Sequence, residues 1–156
     1  MTDVSALARK YAIDVNSGTS GSPVWVRVGG VQEFNDPLNP HLEDDTVYDD
    51  EGWGGQTKTL LNWQIVMKVI RRHDPADATD YDPGQEIFRE RSTLFGSAGT
   101  VDVRWYDRNG GPEAYRGTAE VTWQRAGGPS TALDVVTITL DGKGVRSDIT
   151  NPTAGS

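Results

Sequence analysis

The chain contains no cysteine and no long hydrophobic run. Without thiols it cannot have a disulfide framework, a thiolate metal site or a cysteine nucleophile. No apolar stretch approaches the roughly 18 residues that span a bilayer, and the first residues show no apolar signal-peptide core. We therefore expect a protein that is made in a cytoplasm, stays soluble and has no membrane partner.

Histidine is also scarce, with only His41 and His73. A hydrolytic triad would need one of them beside an activated serine, and no G-x-S-x-G turn precedes a predicted helix. The glycine pairs match neither of the two common nucleotide-binding patterns. We expect no catalytic residues and no cofactor.

Basic residues are outnumbered, because 15 Lys and Arg face 23 Asp and Glu, giving a net charge of −8. Affinity for nucleic acid comes mainly from cations that displace counterions, so a DNA-gripping role is excluded. An acidic surface is still compatible with DNA that passes without being bound. The acidic run lacks the spacing of an EF-hand loop, so a solvated surface is a simpler interpretation than a metal site.

Residues 33–51 contain eight carboxylates, no Lys or Arg, and several apolar side chains. A solvated linker has no use for apolar groups, and loops this long inside a domain are typically functional or disordered. We expect an acidic interface loop over 36–55 that docks on a neighbouring subunit. Trp25 and Trp53 do not alternate in phase with the apolar residues of any predicted strand. We expect both to contact another subunit as well, since aromatic residues are enriched in interface cores. The predicted contact residues are Trp25, Leu38, Leu42, Glu43, Asp44, Asp45, Val47, Tyr48 and Trp53.

A period of two dominates the remaining pattern, which predicts a mainly β fold. The longest candidate strand covers 56–72 and pairs as a hairpin with the strand at 23–34. Its even-numbered side chains form a mixed face that includes Lys58, Asn62, Gln64 and Lys68. Three further strands follow, and the first two are joined by a hairpin turn at Asn109-Gly110. Trp63, Trp105 and Trp123 are in phase with aliphatic neighbours and are assigned to the core.

Other segments complete the prediction of one domain over 1–156. Residues 1–22 are expected to form a peripheral arm or strand, and 142–156 a polar tail. Asp82-Pro83-Gly84-Gln85 is typical of a helix start, with an N-cap, proline at the first position and a capping-box glutamine. The helix is predicted over 83–95, with Ile87, Phe88, Leu94 and Phe95 on its buried face.

The blocks at 26–59, 103–123 and 133–152 resemble the major tail tube proteins of long-tailed bacteriophages, particularly those of actinobacterial hosts. The resemblance implies an antiparallel β-sandwich or barrel with one flanking α-helix, and a long hairpin and loop that assemble hexameric rings into a tube. It also implies a lumen that conducts DNA, with Lys58, Asn62, Gln64 and Lys68 as lumen or barrel positions. The implied partners include tape-measure, tail terminator and distal tail proteins. The protein would belong to the virion tail after assembly in the host cytoplasm.

Two alternatives stay open at this point. One is a secretion-system tube subunit of the same fold, which would stack as looser rings. The other is a monomeric β-sandwich module that binds sugar or calcium.

Overall fold

Eleven strands and one α-helix are present in residues 11–47 and 52–153, the part of the chain that the computed structural model describes. In chain order they are β1 Tyr11–Asn16, β2 Trp25–Arg27, β3 Val31–Asn35, β4 Leu38–Asp44, β5 Gln56–Ile70, β6 His73–Asp74, β7 Asp77–Tyr81, α1 Pro83–Arg91, β8 Thr100–Asp107, β9 Ala114–Arg125, β10 Val135–Gly142 and β11 Ser147–Asp148. A short 3-10 turn, Gly96–Gly99, precedes β8.

The main sheet has the strand order β2-β1-β8-β9-β10-β5-β3, and every pairing is antiparallel. Its two end strands, β2 and β3, are separated by only three residues. Val28 donates its backbone N–H to Ile13 on one side, and Gly30 accepts from Ile70 on the other. The sheet must therefore curl until its ends meet. The predicted fold class, antiparallel β with one flanking helix, is confirmed.

The core lies inside this curled sheet, where the two central tryptophans, Trp63 and Trp105, pack with ring centroids 5.1 Å apart. Glycine makes room for Trp63: a Cβ on Gly142 would lie 2.4 Å from the indole, and one on Gly117 would lie 2.5 Å from it. The predicted core assignment of Trp63 and Trp105 is correct, and Trp123 is half-buried against the same cluster.

The helix begins as predicted but differs in two details. Asp82 caps it by accepting from the Gln85 backbone N–H at 3.0 Å. The buried Gln85 side chain does not complete a capping box, because it donates to the carbonyls of Gly29 and Ile70 and thereby ties α1 to the sheet. The helix ends at Arg91, not at residue 95, and Leu94 and Phe95 are exposed. Helical spacing alone could not show that these two residues lie beyond the end of the helix.

Residues 11–16 and 147–153 contact the rest of the fold more extensively than a peripheral arm or strand and a polar tail would. β1 is buried on both faces and lies between β2 and β8. Its polar residues look solvated in the sequence, yet Asp14 is paired with Arg27 and Arg104 at 2.9 and 3.0 Å. In the C-terminal segment β11 pairs with β9, and the buried Asn151 donates to the carbonyls of Asp107 and Gly111.

Candidate assembly surface

The long strand β5 pairs along its whole length with residues 31–44, so only residues 31–34 of the predicted partner, 23–34, pair with it. β3 pairs with its second half and β4 with its first half, so 38–44 is a strand within the segment predicted as a loop. Gly29 and Gly30 lie between β2 and β3, and only β3 reaches β5. We call β4 together with residues 56–63 of β5 the projecting hairpin.

The projecting hairpin extends beyond the rest of the sheet. β10 covers β5 only from Gln64 to Ile70, so in residues 11–47 and 52–153 the segment 56–63 has β4 as its single strand partner. All seven residues of β4 are exposed, as are residues 56–62 of β5. A two-stranded hairpin is at best marginally stable on its own in water. The arrangement therefore exposes two strand edges that can pair with another chain.

Apolar side chains lie on both faces of this hairpin. Cross-strand partners share a face, which groups Leu38 and Pro40 with Trp63 and Leu61 on the side that continues the core face. The opposite face carries Leu42 and Leu60 among polar residues. Leu61 is 51% exposed and Leu60 is 62% exposed. Large apolar groups on both faces of a projecting element indicate a surface that is covered in an assembly.

The far end of the hairpin is acidic and closed by local hydrogen bonds. The Asp44 carboxylate accepts from the Thr46 backbone N–H at 2.9 Å, and Asp45 accepts from the Thr57 hydroxyl. The hydrogen bonds from Thr46 hold the pKa of Asp44 below its usual range. Glu43 contacts the His41 ring at 2.5 Å. Among the described residues none of these three carboxylates has a Lys or Arg partner.

Two further predicted contact residues lie near this end, and a third cannot be placed. Val47 is exposed, and Trp53 is 81% exposed. Tyr48 lies outside the described residues. Trp25 lies outside the hairpin: it is half-buried on β2, where the guanidinium carbons of Arg104 and Arg116 lie 4.6 and 5.1 Å from its ring. A contact between Trp25 and another subunit stays a prediction.

The mixed face of β5 continues across a broad polar surface on the outside of the curled sheet. On it Lys68 lies 3.6 Å from Glu33 of β3, and Gln64 donates to Asp141 of β10 at 2.8 Å. Asn62 and Lys58 continue this face onto the projecting hairpin. We call the outer face of β3, β5, β10 and β9 the polar wall. Its other strand residues are Asn35, Val66, Thr137, Thr139, Arg116, Thr118, Glu120, Thr122 and Gln124.

Sequence reasoning missed part of both surfaces. Leu60 and Leu61 were placed on strand faces but not in the interface, although two adjacent apolar residues in an alternating strand already signal apolar groups on both sides. Glu33, Glu120 and Asp141 come from three different strands, and only the sheet order brings them to the polar wall.

Other site types gain no support from the described residues. Residues 11–47 and 52–153 contain no group of three or more His, Asp or Glu side chains arranged to hold a metal ion. In the same ranges no helix is long and apolar enough to cross a membrane.

Structural comparison gives clear matches. The chain is similar to a protein in the tail of an empty gene transfer agent particle with C6 symmetry (TM-score 0.67, 14% identity, covering 93% of this chain and 99% of that one). It is also similar to the SPP1 tail tube, with a TM-score of 0.61 and 11% identity over 94% of this chain and 81% of that one. A third match is a sheath–tube complex of an extracellular contractile injection system, with a TM-score of 0.55 and 12% identity over 90% of this chain and 89% of that one. This chain has the tail tube fold. By sequence, no family model matches it and no curated protein is significantly similar.

Proposed function

We propose that the chain is the structural subunit of a phage tail tube, in which hexameric rings stack and their lumen conducts DNA during ejection. The observation that carries the proposal is a tail tube fold whose longest hairpin projects from the sheet with apolar residues exposed on both faces. The similar gene transfer agent tail has C6 symmetry, which supports six subunits in a ring. The role is structural, without catalysis.

The projecting hairpin explains why such a subunit would assemble. An isolated copy leaves the edges of β4 and of residues 56–63 unpaired, together with apolar groups on both faces. Closing a ring pairs strand edges and buries those groups, which removes an aggregation liability. Assembly then supplies stability that a chain without disulfides cannot obtain from cross-links.

The polar wall is suited to face the lumen. Its charged strand residues are three carboxylates, Glu33, Glu120 and Asp141, and two cations, Lys68 and Arg116. Both cations already have carboxylate neighbours, since Lys68 lies near Glu33 and Arg116 is paired with Asp102 of β8. Such a surface offers few sites for phosphate, so DNA would slide without being trapped. Lys58 adds a further cation on the hairpin, where no carboxylate partner is found among the described residues.

The wider setting follows from the same proposal. The tube would assemble in the host cytoplasm around a tape-measure protein, contact terminator and distal tail proteins at its ends, and become part of the virion tail. The long-tailed phage type and the actinobacterial host stay predictions that depend on the sequence resemblance.

Electron microscopy and sedimentation of the purified protein test this function. We expect sixfold rings or tubes, and a mass well above the 17.0 kDa of one chain. A protein that remains monomeric at every concentration tested, up to its solubility, would contradict the proposal and favour a monomeric sugar- or calcium-binding module.

DNA retention tests the lumen assignment separately. Wild-type tubes should not retain duplex DNA at physiological salt, whereas Glu33→Lys with Glu120→Lys should increase retention because phosphate contacts raise affinity. The control is Glu90→Lys on the exposed side of α1, which should leave retention unchanged. Equal retention by all three proteins would contradict the assignment of the polar wall to the lumen.

A tube subunit of an injection or secretion system is the second candidate, favoured by the similarity to the sheath–tube complex. It would be expected to stack as looser rings. A neighbourhood of genes for phage capsid and packaging proteins would support the phage tail, and its absence would support this alternative.

A further inference from the structure

The connection between β10 and β11, residues 143–146, is held firmly against the sheet. Lys143 donates its backbone N–H to Thr118 at 2.8 Å, and the Trp63 indole N–H donates to the Gly144 carbonyl at 3.1 Å. β11 then pairs with β9 at Arg116 and Tyr115. We call residues 143–146 the basic loop. Because its backbone is anchored at both ends, less conformational freedom of the loop is lost on binding, which lowers the entropic cost.

The basic loop exposes an apolar group between two cations. Val145 is 79% exposed. Lys143 lies 3.9 Å from its nearest carboxylate partner, Glu120, and both side chains are largely solvated. The Arg146 guanidinium stacks 4.0 Å from the Tyr115 ring centroid and has no carboxylate within ion-pair distance among the described residues. A shallow groove of about 480 Å³ adjoins the loop, with Arg116 and Ile149 in its lining.

The end of the projecting hairpin has the complementary chemistry. Its carboxylates at Glu43, Asp44 and Asp45 lack Lys or Arg partners among the described residues, and Leu42 and Val47 are exposed beside them. Opposite charges around exposed apolar groups are typical of surfaces that recognise each other. DNA fits the basic loop less well, because Glu120, Asp102 and Asp148 lie close to it.

The two surfaces are too far apart to meet within one subunit. The basic loop contacts Trp63 at the base of the projecting hairpin. The acidic end of the hairpin lies at Gln56, seven residues away from Trp63 along an extended strand. At about 3.3 Å per residue this separation is roughly 23 Å. Contact therefore requires two copies. Because the patches differ, the contact is head-to-tail, and such contacts repeat without limit when they do not close a ring.

We propose that the basic loop of one subunit receives the acidic end of the projecting hairpin of a second copy, and that this contact stacks one ring on the next. The proposal depends on the proposed function, since it names the partner surface of the same hairpin. Val145 would pack against the apolar groups of the hairpin, while Lys143 and Arg146 would pair with Glu43 and Asp44.

Charge reversal tests this contact. The loop variant is Lys143→Glu with Arg146→Glu, the hairpin variant is Glu43→Lys with Asp44→Lys, and a third protein combines all four changes. The control, Arg108→Glu with Arg125→Glu, changes the net charge of the chain by the same amount as the loop variant but away from the loop. Thermal unfolding checks that each protein folds. Sedimentation and electron microscopy then measure rings and stacked tubes at low and high salt.

We expect the loop variant and the hairpin variant to form rings, but to stack only at a protein concentration about tenfold or more above that of the wild type. The combined variant should regain stacking, and high salt should weaken stacking of the wild type by screening. If the loop variant stacks like the control, or the combined variant stacks no better than its parents, the docking proposal is wrong while the tube function stands. A wild type that never leaves the monomeric state contradicts both.

Discussion

The two halves of β5 differ completely in what covers them. On the apolar face of residues 63–70, Trp63, Ile65, Met67 and Val69 are all buried, three of them fully. The same face continues through Leu61, Thr59 and Thr57, which are all exposed. The alternation is unbroken, and only the neighbours change, because β10 stops opposite Gln64.

This difference separates folding from assembly within one strand. The inner half has β10 on one side and the remainder of the sheet around its apolar face, so it is complete in a single chain. The outer half has only β4 and keeps its apolar groups in water. We infer that the inner half provides stability to the subunit, and that the outer half acquires its partners from another subunit.

The sharpest test of this contrast removes one apolar side chain from each half. Ile65→Ala leaves a cavity beside fully buried neighbours and should lower the free energy of unfolding by about 3 kcal/mol. Leu61→Ala, on the same face and four residues earlier, should change it by less than about 0.5 kcal/mol, because Leu61 is already half-exposed. Chemical denaturation of the monomer measures both values.

The effects on assembly should have the opposite order, as long as both variants remain folded. Leu61→Ala is expected to reduce tube formation more than Ile65→Ala does, although the Leu61→Ala subunit is the more stable of the two. If Leu61→Ala destabilised the monomer as much as Ile65→Ala, the two halves would not differ as described.

A second test concerns the buried ion cluster that attaches α1 to the inner half. Glu86 accepts from Arg89 and Arg71 at 2.6 Å each, and the Arg71 side chain is only 5% exposed. Glu86→Gln removes the negative charge paired with Arg71 and leaves one acceptor oxygen where two serve Arg71 and Arg89, so it should cost about 2 kcal/mol. The matched control is Glu90→Gln on the same helix, which should change stability very little.

The same cluster predicts a pH dependence. The Arg89 hydrogen bond, assisted by Arg71, lowers the pKa of Glu86 in the folded state although burial opposes this shift. A carboxyl whose folded pKa is lowered stabilises the protein above its unfolded pKa, about 4.3 for Glu, and loses that contribution as the pH falls through the folded value. The stability difference between wild type and Glu86→Gln should therefore shrink below about pH 4. A difference that stayed constant from pH 7 to pH 3 would contradict this account.

The smallest expected effect is at the start of the helix. Asp82 accepts from the backbone N–H of Gln85 and from that of Gly29, so it joins the N-cap to the link between β2 and β3. Asp82→Ala should lower the free energy of unfolding by about 1 kcal/mol. Asp82→Asn should lower it much less, because asparagine is also a good N-cap residue. Equal stability of the two variants would show that the cap contributes little.

Local chemistry in the sequence predicted much of the fold. The Asn109-Gly110 hairpin, the Asp82-Pro83 helix start and the alternation of β8, β9 and β10 are each determined by neighbouring residues. Pairing between distant segments was less accessible. β4 is exposed at every position, so it has no alternation to mark it as a strand, and its acidic composition suggested a loop instead.

The candidate site was only partly predictable for the same reason. Acidic and apolar residues in one segment indicated a docking surface, but not that Leu60 and Leu61 would project with it. Residues 11–16 form a strand, one of the two predicted forms, but not a peripheral one, because Asp14 and Asn16 gain their partners from β2 and β8, which are distant in the sequence. No periodicity contains that information.

The central claim, that the projecting hairpin assembles subunits into a tube, is tested most directly by removing it. Because Asn39 and Asn62 are paired across the hairpin, residues 40–61 can be replaced by an Asn-Gly turn that continues both strands. Sedimentation velocity of this variant beside the wild type should show a folded monomer next to rings or tubes, with a thermal midpoint within a few degrees of the wild-type subunit. Tubes of normal length from the shortened chain would contradict the account.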